Sequence, residues 1–179
     1  MNDDTSSDIT PRQPFSPTVQ LALTQANQTQ VQAQGIIKGH MIGAMSAGLI
    51  PLPMVDGVVL IDIQWNLICR LADHYGVPIQ QAYKAILVSA IGGSLPVLLA
   101  GIGCSLLKLI PGFGQVAGTA ALSNLGAAFT YATGKIFMAH FERGGTMIDF
   151  RAKTFKHRFR LEFRCGKHAA EQMRPGLQS

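Results

Sequence analysis

The chain has 179 residues, room for one domain with flexible ends. It carries 15 Lys/Arg against 10 Asp/Glu, a net charge of +5, and 47% of its residues are hydrophobic. Its three cysteines, Cys69, Cys104 and Cys165, are odd in number, widely spaced and without a CxxC pair, which argues against a disulfide framework and fits a reducing compartment.

The first seventeen residues are acidic and Pro/Ser-rich, with Asp3, Asp4 and Asp8. A secretory signal needs a positive start and an apolar core, so no cleaved signal is expected. Residues 1–30 hold Pro11, Pro14 and Pro17, many Gln, Thr and Asn, and few large apolar side chains. Such a segment buries too little surface to offset ordering entropy. It is expected to be disordered, with a frayed lead-in helix in part of Thr18–Gln34.

A first helix is predicted over Val31–Leu49, rich in small residues and ended by Pro51-Leu52-Pro53, where two prolines remove donors. A second is predicted from Asp56 or Gly57 to Tyr75. Asp56 suits its N-cap, Gly76 its C′ position, and Pro78 stops it. Ile61, Trp65, Ile68, Leu71, Ala72 and Tyr75 recur with helical spacing.

Beyond Pro78 the chain turns apolar. Ala85–Leu107 is 23 residues without a charge, and after Lys108 another 26 follow, from Leu109 to Gly134. The runs meet at Pro111-Gly112-Phe113-Gly114, which gives Pro111, Gly112 and Gly114 turn roles. About 20 apolar residues cross the hydrocarbon core of a bilayer, so each run is long enough to span. Gly92-Gly93 and Pro96 predict a kink in the first span. Gly118, Gly126, Ala127, Ala128 and Gly134 supply the second, from about Gln115 to Phe141, with small residues for close helix contact. The expectation for residues 31–145 is therefore an apolar helical domain built on a Gly/Ala-rich, membrane-embedded hairpin. Leu49-Ile50-Pro51 is echoed by Leu109-Ile110-Pro111, so Pro51 and Pro111 mark similar turns; chance explains three matched residues as well as a repeat does.

Gly144-Gly145 punctuates the chain. A basic amphipathic helix is predicted over residues 146–170, followed by a flexible tail, 171–179. Ile148, Ala152, Phe155, Phe159 and Phe163 step by four, three, four and four, an apolar stripe. Arg151, Lys153, Lys156, Arg158, Arg160, Arg164 and Lys167 cover much of the rest, and residues 151–174 hold eight cations against two Glu. Such a helix lies in a membrane interface, phenylalanines dipped in and cations toward anionic lipid, each contributing about 1 kcal/mol. The competing reading packs the stripe on the helical domain and leaves a solvated basic face. Nucleic-acid binding is not expected, because no DNA-reading motif accompanies the charge.

The stretch from about Ala44 to Phe150 resembles the YcjF-like domain, found in bacterial inner-membrane proteins and as the C-terminal part of some GTPases. The likeness rests on Ile50-Pro51 with Asp56, on Gln64, and on Tyr75-Gly76. Further on it rests on Pro111-Gly112 with Gly114, Thr130-Tyr131 with Gly134, and Phe141 with Gly144. The resemblance implies an all-α, membrane-associated module working beside a nucleotide hydrolase, with no catalytic residues to carry over. This chain lacks the GTPase-fused form's NTPase domain. Gly134-Lys135-Ile136 and Gly166-Lys167-His168 lack the upstream glycine and the hydroxyl of a phosphate loop. A nucleotide switch would belong to a separate GTPase or ATPase.

No constellation points to catalysis. His40, His74, His140, His157 and His168 lack the spacing of a zinc site; His74 with Asp73 and His140 with Glu142 are the best pairs. Ser46 and Ser94 lack the order of a nucleophile elbow. Asp56 and Asp62, with Gln64 near, flank strongly apolar sequence. Inside a bilayer they would mark a proton or ion path; otherwise Asp56 caps a helix and Asp62 lies on its wet face. No metal or cofactor is expected.

The sequence thus predicts an all-α bundle of four to five helices, without enzyme activity, in a bacterial inner membrane. Positive charge stays cytoplasmic, which places both termini there. The expected role is an anchor or adaptor recruiting a cytosolic NTPase and self-associating through small-residue faces. A soluble helical-bundle interaction protein and a small channel or transporter using Asp56 and Asp62 are the rivals.

Overall fold

The computed structural model describes residues 16–49, 55–80, 83, 113–150 and 152–173. They form four helices and no strand: α1 (Pro17–Gly48), α2 (Val55–His74), α3 (Phe113–Phe141) and α4 (Ala152–Met173). The chain divides into two compact units, Met1–Gln32 and Ala33–Ser179. The described part of the first is the N-terminal portion of α1, with Leu21, Leu23 and Val31 exposed. Helix thus reaches into the segment expected to be disordered, as its lead-in helix allowed. Pro17 opens it because a fixed φ and a missing N–H cost nothing at the first helical position.

The core of the second unit draws on all four helices. Ile37, Met41 and Met45 come from α1, Leu67, Ile68 and Leu71 from α2, Ala132, Ile136 and Phe137 from α3, and Phe155 and Phe159 from α4. Helix α3 lies against α1 at three successive levels where a side chain is missing. A Cβ on Gly134 would meet Ile37 Cγ1 at 2.7 Å, one on Gly126 the Ala44 carbonyl oxygen at 3.2 Å, and one on Gly48 the Ser123 backbone at 2.6 Å. The partners run in opposite directions, so α1 and α3 are antiparallel here and their backbones nearly touch. Gly134 is thus one of the points where α3 comes closest to α1. Ser123 Oγ adds a buried hydrogen bond to the Met45 carbonyl, 2.9 Å.

The helix ends follow local rules. Gly76, at φ +68°, takes the left-handed position after α2, and the Val77 N–H closes on the Ala72 carbonyl at 2.8 Å. Gly144, at φ +75°, ends α3 likewise, with the Gly145 N–H on the His140 carbonyl at 3.0 Å. The final helix starts six residues later than predicted. Thr146 turns back instead, its hydroxyl donating to Asp149 Oδ2 at 2.7 Å and its backbone N–H to the same oxygen at 3.4 Å. Such local bonds offer the backbone an alternative to helix.

Among the described residues no helix is long and apolar enough to cross a membrane. This revises the reading of Gln115–Phe141 as a span. The helix forms, but it begins at Phe113, which puts Gly114 in its first turn and not in a loop. A helix that is apolar all round must be covered, by lipid or by protein. Here protein covers it: α1 at Gly126 and Gly134, α2 at Thr130, α4 at Ala128 and Phe129. The other half of the expected hairpin, Ala85–Leu107, lies outside the described residues, as do Pro51, Pro111 and Gly112.

Candidate functional site

Helix α4 exists because its apolar residues repeat at helical spacing and find a matching surface on α3. Phe155 and Phe159 are buried, and Phe163 is half-buried. Their rings continue a ladder: Phe150 to Phe155 at 5.7 Å, Phe155 to Phe159 at 5.2 Å, Phe159 to Phe163 at 5.6 Å. Phe129 and Phe137 of α3 meet it at 5.2 and 6.4 Å. The phenylalanines expected to dip into lipid therefore face α3, as the competing reading had it. Ile148, expected at the head of the stripe, lies in the turn before α4 and is exposed. Met147 and Phe150 turn into the core on either side of it.

With the apolar face satisfied, the outer face is free for something else. Arg160, Arg164 and Lys167 are exposed and Arg158 is half-buried, and none of the four has an ion-pair partner among the described residues. Lys167 Nζ lies 5.5 Å from the Phe163 ring centre, so its stem covers aromatic surface while its charge stays wet. Positions 153, 156, 160, 164 and 167 step by three, four, four and three, which places all five on one side of the helix. Lys153 and Lys156 lie in α4 in that register; Arg151 is outside the described residues.

The helix's two acids occupy different places, and Glu171, four residues after Lys167, continues the row of cations. Glu162 sits on the flank next to α3, where burial first, then the charges of Glu162 and Cys165, push the Tyr131 phenol above its usual value. Glu171 approaches His168 at 3.7 Å. The outer face of α4 therefore carries a row of cations, Arg160, Arg164 and Lys167, with one acid, Glu171, at its C-terminal end.

The other polar candidates do not assemble. Gln64 is buried and donates from Nε2 to Thr130 Oγ1 at 2.8 Å, while that hydroxyl donates to the Gly126 carbonyl at 2.8 Å. Asp62 is exposed, two residues and roughly 200° of helical rotation away. Asp56 falls in the first turn of α2. Asp62 and Gln64 thus face different sides of α2, and Gln64 belongs to the α2–α3 contact. Among the described residues no three His, Cys, Asp or Glu side chains stand close enough to hold a metal ion.

Two residues escaped the sequence reading. Gly166 lies against the Ala128 backbone of α3. Its signal was position, since 159, 166 and 170 continue the phenylalanine face. Leu161 is 60% exposed on the opposite side. It was legible as the one leucine of α4 out of phase with the stripe.

No protein-family model matches the chain, and no solved structure matches it. The YcjF-like resemblance therefore stands on the residues quoted for it alone. The chain is similar to magnetosome membrane protein 22 of Magnetospirillum gryphiswaldense, with 29% identity over 144 residues that cover 79% of this chain and 74% of that protein.

Proposed function

We propose that this protein is a membrane-associated helical protein, held on the surface of an anionic bilayer by the outer face of α4 and serving there as an anchor or adaptor. The observation that carries the reading is the set of exposed, unpaired cations Arg160, Arg164 and Lys167 on one helix whose apolar face is already covered. Cations near an anionic leaflet gain about 1 kcal/mol each, within a Debye length of about 10 Å. The similarity to a protein named for the magnetosome membrane supports a membrane as the partner. The cytoplasmic leaflet of a bacterial membrane is the surface that fits, with both chain termini on that side. A nucleotide hydrolase partner, implied by the YcjF-like resemblance, gains no support from any described surface. Self-association likewise rests on small-residue faces alone.

Sedimentation of the purified full chain with lipid vesicles tests the proposal. Binding to vesicles containing phosphatidylglycerol, release by high salt, and no binding to pure phosphatidylcholine are expected. Equal binding to both lipids, or none to either, would overturn it.

A further inference from the structure

We infer that the contact with the bilayer has one apolar anchor, Leu161, set among arginines that hold the headgroups while the leucine enters the acyl boundary. The inference rests on the surface-docking reading and goes further by naming the point of insertion. The residues first expected to insert are not available, since Phe155 and Phe159 are buried and Phe163 stacks on Phe159. Among the described residues of α4, Leu161 is the one large apolar side chain left exposed, at 60%. It stands two residues after Phe159, about 200° around the helix, and therefore close to the pole opposite the core.

Its helical neighbours set the chemistry. At i−3 and i+3 stand Arg158 and Arg164, and at i−4 and i+4 stand His157 and Cys165. Neither arginine has an acidic partner among the described residues, Glu162 is turned toward α3, and Glu171 stands nearly three helical turns beyond Leu161. A single exposed leucine is ordinary on a protein surface. One bracketed by unpaired arginines is suited to an interface, because long guanidinium stems reach the phosphate plane while the leucine goes deeper. The row of cations at positions 160, 164 and 167 runs along the helix and does not converge on a point. It therefore matches a charged sheet better than a single acidic group on a protein. Ile148 is more exposed, at 79%, but it adjoins Asp149, whose carboxyl Thr146 holds below its ordinary range. An ionised carboxylate beside it makes that turn a poor point of entry.

The test uses the full chain with its single tryptophan moved, as Trp65→Phe with Leu161→Trp, on phosphatidylglycerol/phosphatidylcholine vesicles whose acyl chains carry bromine. A blue-shifted, bromine-quenched tryptophan is expected, with no quenching on pure phosphatidylcholine. In the otherwise native chain Leu161→Ala is expected to weaken partitioning about fivefold, the effect of roughly 1 kcal/mol of buried aliphatic surface, while Ile148→Ala leaves it unchanged. Both positions are exposed, so neither change threatens folding. A vesicle-bound protein whose relocated tryptophan is unquenched, or undiminished binding by Leu161→Ala, overturns the anchor and leaves surface docking standing. Failure of the native chain to bind anionic vesicles overturns both.

Discussion

A Cβ on Gly166 would stand 2.7 Å from the Ala128 carbonyl oxygen and 2.9 Å from the Ala128 Cα, so α4 meets α3 backbone to backbone. Neither atom can withdraw without moving a helix. Gly166→Ala is expected to destabilise the protein by about 1–3 kcal/mol, the usual cost of overpacking, although alanine is the better helix former. Chemical denaturation of the single variant measures it.

Gly35, Gly39 and Gly43 of α1 predict the opposite sign. They border an open groove with Ile63 and Arg70, and a Cβ at any of them meets nothing within 4 Å. Glycine inside a helix costs up to about 1 kcal/mol relative to alanine. Each Gly→Ala change should therefore raise stability by about 0.4–1 kcal/mol, visible as a higher denaturation midpoint with an unchanged slope.

Gln64 tests what the polar contact inside the core contributes. Its Oε1 is buried without a hydrogen-bond partner, although Nε2 is satisfied by Thr130. Gln64→Met removes the bond and the orphaned oxygen together and should change stability by less than about 1 kcal/mol. Gln64→Glu puts a charge in the same place. It should cost about 3 kcal/mol or more at neutral pH and less as acid neutralises the carboxyl. Equal behaviour of the two variants would contradict a dry environment at this position.

The turn before α4 carries a pH dependence of known direction. Hydrogen bonds from the Thr146 side chain and backbone, with a smaller pull from His140, lower the Asp149 carboxyl from its ordinary value of 3.8. A depressed carboxylate pKa stabilises the turn above the unfolded value, and that stabilisation is lost as pH falls through the folded one. NMR titration should show Asp149 protonating below the ordinary value, with the Thr146 amide losing protection over the same interval. Asp149→Asn should remove the transition.

The sequence revealed burial far better than it revealed what does the burying. The α2 stop at Gly76 was legible because a single left-handed residue is a local requirement, and the observed φ of +68° meets it. The phenylalanine spacing of α4 was legible for the same kind of reason, since period alone defines a stripe. Whether Phe155 and Phe159 meet lipid or Phe129 and Phe137 was not, because hydropathy is the same toward both. The uncharged run through α3 misled in that way: Ala127, Ala128 and Ala132 are as apolar as a span requires but pack inside protein. Glycines were equally ambiguous. Nothing local separates Gly134, wedged on Ile37, from Gly39, which faces open space. Gln64 stood out as a polar residue in apolar surroundings, and its role became evident only with Thr130 opposite it.

Charge reversal on α4 tests surface docking most directly. The triple variant Arg160→Glu, Arg164→Glu and Lys167→Glu alters exposed side chains only, so circular dichroism and the denaturation midpoint should stay close to those of the native chain. Sedimentation with phosphatidylglycerol vesicles at low salt should then show the native protein in the pellet and the variant in the supernatant. A folded triple variant that pellets as well as the native chain would contradict the assignment of this face to the membrane.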